Sequence, residues 1–139
     1  MQVIIFVNDN GGVATCIPTG ELPIEQVLEK DCPKGRGARI VSYLDLPNEY
    51  NDFYDAWEMD ATSVTVNLTK AKELTKNRLR QERTPLLAAQ DVAYQRADEA
   101  GDAAKKAEVV AEKQRLRDLP SLADACATLE ELRALKAEA

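Results

Sequence analysis

The sequence contains no histidine. Its absence removes the side chain most often used as a general base near neutral pH, and with it the commonest metal ligand. Cysteine is sparse: Cys16, Cys32 and Cys126 are far apart in the chain and odd in number, with no CxxC pair. That spacing shows no zinc cluster and no disulfide framework, and it suits a reducing cytoplasm. Phosphate-binding and nucleophile patterns are missing as well, since GxGxxG, GxxxxGK[ST] and GxSxG do not occur. Gly35-Arg36-Gly37 reads as a plain turn. The acidic run Asp52, Asp55, Glu58 and Asp60 lacks the ligand spacing of a calcium loop and reads as solvated surface. No enzyme activity, cofactor or metal is expected.

Long apolar runs are absent too. Val3-Ile4-Ile5-Phe6-Val7 is too short for a membrane span and has no basic flank, so it reads as a buried strand and not as a signal or anchor. Aromatic residues are few and unevenly placed: of seven, only Tyr94 lies beyond Trp57. Charge shifts at the same place. Residues 1–67 carry 4 basic and 11 acidic side chains, whereas residues 68–139 carry 14 and 13. The overall charge of −6 weighs against general nucleic-acid binding. The two halves are built differently, which predicts a small α+β domain over 1–67 and a helical domain over 68–139.

In the first half, the β-branched run at 3–7 ends at Asn8-Asp9-Asn10-Gly11-Gly12, turn chemistry suited to a hairpin that returns over 13–17. Pro23 suits the first turn of a short helix, with Ile24, Val27 and Leu28 on one face and Cys32-Pro33-Lys34-Gly35 closing it. A third strand is expected at 39–43, a loop at 44–52, a fourth strand at 53–59 and a fifth at 64–66. The resulting antiparallel sheet and its one helix are expected to share a core of Trp57, Phe6 and the Ile24–Leu28 face. Trp57 has two readings, a core residue or an exposed interface anchor of the kind enriched in binding hot spots.

Asn67 is a good N-cap, and from Leu68 helix formers dominate. A long helix is predicted over 68–100, kinked or split by Pro85. Gly101-Asp102 stops it and caps a second helix over 103–118, which folds back as a hairpin until Pro120 breaks it. Thr128 and Glu131 have capping-box spacing for a short final helix carrying Leu129, Leu132 and Leu135. Leu79, Leu86 and Ala93 recur every seven residues, as do Leu87 and Tyr94, giving two adjoining stripes. The second helix is expected to meet them with Ala103, Ala104, Ala107, Ala111 and Val110. The basic stretch Lys70, Lys72, Lys76, Arg78, Arg80 and Arg83 spreads around the helix with no interleaved aromatic platform, so it reads as soluble surface more than as a nucleic-acid site.

Within this helix the stretch from Arg78-Leu79-Arg80-Gln81-Glu82-Arg83 through Thr84-Pro85-Leu86-Leu87-Ala88-Ala89-Gln90-Asp91 resembles the R-x-x-R-x-x-L-L-x-x-x-D pattern of tailed-bacteriophage tail assembly chaperone-like proteins. Gln114-Arg115-Leu116-Arg117-Asp118-Leu119-Pro120 is similar to their Y/K-R-Q-x-L-R-D-x-P signature. Ala56-Trp57-Glu58 and Val64-Thr65-Val66-Asn67-Leu68 resemble the short β unit that precedes the helical hairpin in tail-fibre-associated proteins. The resemblance covers residues 57–120. It implies a non-enzymatic protein that binds a phage tail or tail-fibre protein, acting in the host cytoplasm during assembly or as a fixed subunit of the virion tail. Leu79, Leu86, Leu87, Tyr94 and Leu116 would pack, Arg78, Arg83, Arg117 and Asp118 would fix the geometry, and Trp57 would centre a second surface. Self-association is a further expected contact. An inhibitor that binds a host protein through the acidic first half is the alternative of a different kind.

Overall fold

A computed structural model describes residues 1–138 of the chain. The protein is α+β, with a small antiparallel sheet followed by long helices, a helical hairpin and a short final helix. It divides into two compact units, Met1–Ala71 and Lys72–Ala139.

In the first unit, β1 (Gln2–Val7) is the central strand of a three-stranded antiparallel sheet, between β2 (Val13–Cys16) and β3 (Arg39–Ser42). Ile4 sits opposite both Cys16 and Ile40. Successive side chains on a strand point to opposite faces, and both faces of β1 are covered. Val3 and Ile5 pack with Val13, Leu46 and Trp57. Ile4 packs with Val27 and Cys32, flanked by Phe6, Cys16, Ile24 and Leu28. Hence the run Val3–Val7 is continuously apolar where a half-exposed strand would alternate. The predicted single core is therefore two: Trp57 lies on the face opposite Phe6 and helix α1 (Ile24–Asp31).

The turn after β1 is organised by Asn8, whose Oδ1 accepts from the Asn10 and Gly12 amides, both at 2.9 Å. Gly11 takes φ +79°, a left-handed conformation that side-chain-bearing residues adopt reluctantly.

The predicted fourth strand is mostly not one. Asn48–Ala56 forms 3-10 turns with breaks at Tyr50 and Phe53, and only Trp57–Met59 (β4) extends, pairing with β5 (Val64–Val66). Tyr50, Phe53, Tyr54 and Trp57 recur at three- and four-residue intervals, a helical period that their strand propensity masks.

The long helix α2 (Leu68–Glu99) starts where expected, with Asn67 Oδ1 accepting from the Lys70 amide at 2.9 Å. The Asn67 amide donates to Ala56 and Lys70 pairs with Glu58, so the first turn of α2 belongs to the sheet unit. Pro85 does not split the helix. It has no N–H to give the Gln81 carbonyl, while the Thr84 hydroxyl donates to the Arg80 carbonyl at 2.9 Å.

Gly101 (φ +67°) ends α2. The Asp102 amide donates back to Ala97 and the Gly101 amide to Asp98, the paired bonds of a Schellman stop. Asp102 then caps α3 (Ala103–Asp118) by accepting from the Lys105 amide at 3.0 Å. Pro120 lies in the 3-10 segment Leu119–Ala125 that follows. Thr128 caps α4 (Leu129–Ala134), accepting from the Glu131 amide, and Glu131 accepts in return from the Ala127 amide. Leu79, Leu119 and Ala137 form the centre of this second unit, with Leu86 and Leu135 against them.

Candidate functional site: the surface of the helical hairpin

Val109 and Leu116 are the buried residues of α3. Ala103, Ala104, Ala107, Val110 and Ala111 are all exposed, so the alanine stripe expected to meet α2 faces outward instead. The inward seam runs Lys106, Val109, Lys113, Leu116, alternating spacings of three and four, and two of its four positions are lysines. A lysine can bury its methylene stem while its ammonium reaches water or a partner. Here Lys106 pairs with Asp98 at 2.7 Å and Lys113 with Asp91. Both ammonium groups also lie over the Tyr94 ring, at 5.5 and 5.7 Å from its centroid. Asp91, Tyr94 and Asp98 share one side of α2, so the far half of the hairpin is joined by a polar zipper around one aromatic ring. The Asp98 carboxylate holds the Lys106 ammonium above its usual pKa, with a smaller contribution from Tyr94.

Beside this zipper, Tyr94, Val110, Lys113 and Arg117 line a cleft of about 230 Å³. Val110 is 52% exposed and Tyr94 36%, and Val92 on α2 is 48% exposed. Apolar groups are thus open to solvent beside two cationic side chains. Tyr94 and Arg117 are among the expected interface residues. Val110 is exposed and not in the expected hairpin interior, and Lys113 carries no sequence signal, because a charged residue on a packing seam breaks the apolar pattern that identifies a face.

The other expected contact residues divide by burial. Leu79 and Leu116 are 0% exposed and hold the unit together, leaving nothing of them for a partner to touch. Leu86 and Leu87 are half-buried, with Leu86 packed on the Leu79 cluster. Arg78 and Arg83 act within the unit. Arg83 donates to the carbonyls of Leu116 and Arg117, and Arg78 to those of Leu132 and Leu135. Asp118 is exposed and accepts from Gln114 at 2.9 Å. Trp57 is not an exposed anchor. It is 1% exposed, its indole N–H donates to the Tyr50 carbonyl at 3.1 Å, and its ring packs on Tyr54. An indole in that setting has both its apolar surface and its one donor already used.

Among the described residues, no three His, Cys, Asp or Glu side chains gather as a metal site, and no helix is long and apolar enough to cross a membrane. Compared with protein-family models, with curated proteins and with solved structures, the chain matches none.

Proposed function

We propose that the protein is a non-enzymatic, protein-binding component of bacteriophage tail assembly, and that it docks a tail or tail-fibre segment on the outer surface of its helical hairpin. The observation that carries this reading is the cleft of Tyr94, Val110, Lys113 and Arg117, where Val110 is exposed beside two cationic side chains. An apolar floor with a cationic rim suits an acidic segment carrying apolar side chains, because desolvation of the floor supplies affinity and the rim supplies orientation. The order of the arginine-rich, Leu86-Leu87 and Leu116-Arg117-Asp118 elements supports the tail-assembly context. In that context the protein works in the host cytoplasm and needs no cofactor.

The test is co-expression of the tagged full chain with the tail and tail-fibre proteins of its phage, alongside Val110→Glu and Tyr94→Ala variants. Helical content should be unchanged in both variants while capture of the partner falls by at least tenfold. Full capture by both folded variants would exclude this surface. Quantitative mass spectrometry of purified particles then separates two forms of the role. A fixed, multi-copy presence in particles identifies a tail subunit, and abundance in the lysate without particle association identifies an assembly chaperone.

A further inference from the structure

Cys16 and Cys32, far apart in sequence, meet in the first unit. Cys16 ends β2 and lies opposite Ile4 of β1, and Cys32 follows α1 as its C-terminal cap. Helix α1 packs Val27 and Cys32 onto Ile4, and Cys16 packs against the same cluster. The strand register and the helix docking therefore direct both sulfurs to one patch of β1. Cys16 and Cys32 thus share one apolar cluster, the Cys16 thiol is among the groups that raise the Cys32 pKa, and both are free. Their exposure differs. Each lines a cleft of its own, Cys32 with Leu28 and Pro33 and Cys16 with Ile17, Leu22 and Lys30, but Cys32 is buried and Cys16 only half-buried. The third thiol, Cys126, belongs to the other unit, where it donates to the Leu122 carbonyl.

We propose that Cys16 and Cys32 form a reversible disulfide in the folded protein, with Cys16 as the attacking thiol and Cys32 as the resolving one. The oxidant is a small-molecule disulfide, RSSR. The Cys16 thiolate attacks one of its sulfurs, a Cys16–SR bond forms, and the first thiolate RS⁻ leaves. The Cys32 thiolate then attacks the Cys16 sulfur, the protein disulfide forms, and the second RS⁻ leaves. In net terms the two protein thiols give up two electrons and two protons, and RSSR becomes two RSH. The roles follow from access, since exchange needs an exposed thiolate to start and an adjacent thiol to finish. Burial also pushes the Cys32 thiol up, which makes it a poor starting nucleophile. The bridge would tie the end of α1 to β2 and close the chain segment containing α1, which restricts the unfolded state more than the folded one. The first unit would thereby be more stable in an oxidising environment, whatever the hairpin binds.

The experiment treats the folded full chain with oxidised glutathione, blocks residual thiols with iodoacetamide and maps tryptic peptides without reduction. Cleavage at Lys30 separates the two cysteines, so a bridge appears as two joined peptides lighter by two hydrogens. The expected result is that linked pair, with Cys126 alkylated and the thermal midpoint raised. Cys32→Ser should instead accumulate glutathione on Cys16, and Cys16→Ser should give no bridge. The proposal is overturned if folded wild-type protein keeps a lasting glutathione adduct on Cys16 beside an alkylated Cys32. It is equally overturned if the bridge forms only in urea.

Discussion

The guanidinium of Arg83 holds the backbone carbonyl of Arg117 at 2.9 Å, and the same nitrogen reaches the Leu116 carbonyl at 3.2 Å. These carbonyls lie at the end of α3, where Pro120 of the following 3-10 segment has no N–H to give the Leu116 carbonyl and the helix dipole is negative. One turn earlier on α2, Arg78 does the same for α4, donating to Leu132 and Leu135 at 3.2 and 2.7 Å. Arginine suits the task because its planar fork presents several donors with a permanent charge. The two arginines of the hairpin motif thus fasten two separate helix ends to α2.

Replacing Arg83 with alanine should lower the unfolding free energy by about 1–2 kcal/mol, the upper end of what a cation contributes at a partly buried helix C-terminus. Arg80, which is exposed and whose guanidinium donates to Asn77 in the same helix, should cost less than about 0.5 kcal/mol when changed to alanine. Urea denaturation followed by circular dichroism compares the two. Equal effects would mean that Arg83 contributes no more than surface charge.

Lys113 offers a test of the hairpin seam. Its side chain is 19% exposed and pairs with Asp91, so an apolar residue of similar reach fits the same place. The Asp91 carboxylate is 65% exposed, so it stays hydrated without its partner, and an ion pair of that kind contributes about 0–1 kcal/mol. Lys113→Met should therefore leave stability within about 1 kcal/mol of wild type. Lys113→Ala, which removes the stem as well, should be distinctly less stable. A thermal-melt comparison of the three proteins decides it.

Leu79, Leu116 and Leu132 are each 0% exposed. Changing any one to alanine should destabilise the protein by about 2–5 kcal/mol, through lost burial and the cavity left behind. Leu122, 52% exposed, is the matched control and should stay within about 0.5 kcal/mol. A Leu116→Ala protein as stable as Leu122→Ala would contradict the packing described above.

Alkaline pH should weaken the fold through its thiols. Burial pushes Cys126 above its ordinary value of 9.0, with Glu131 adding to the shift and Lys72 opposing it. Cys32 is raised chiefly by burial as well. A thiol raised in the folded state leaves the unfolded state to ionise first. The stabilisation is complete below the unfolded thiol pKa and is lost as pH rises through the folded one. Denaturation midpoints measured under reducing conditions from pH 7 to 10 should fall less steeply for a Cys32→Ala, Cys126→Ala protein than for wild type. Identical slopes would remove the thiols from the explanation.

Trp57 can be followed directly because it is the only tryptophan. Its fluorescence should be blue-shifted and poorly quenched by acrylamide until the first unit unfolds. Trp57→Phe should cost about 1–3 kcal/mol, because the Tyr50 carbonyl loses its indole donor.

Local chemistry made much of this architecture legible in advance. Asn8 to Gly12 marked the first turn, Asn67 the start of α2, Gly101-Asp102 the hairpin bend and Thr128 with Glu131 the last helix. Each of these signals is a side chain or a permissive backbone acting on amides a few residues away, so the amino-acid order alone suffices. The Leu79, Leu86, Ala93 stripe was legible for the same reason, since helical spacing assigns residues to a face.

Tertiary structure decided what sequence spacing cannot encode. Only packing turned residues 53–56, expected as the start of a strand, into the end of the 3-10 segment Asn48–Ala56. Only the tertiary packing put Trp57 on the Val3 and Ile5 face of β1 and α1 on the Ile4 face, where Cys16 and Cys32 share a cluster. Pairing with Asp91 and Asp98 on the neighbouring helix let Lys106 and Lys113 occupy the seam while alanines faced solvent. A charge on a packing face is acceptable only when a partner from a distant part of the chain receives it, and that partner is supplied by the fold.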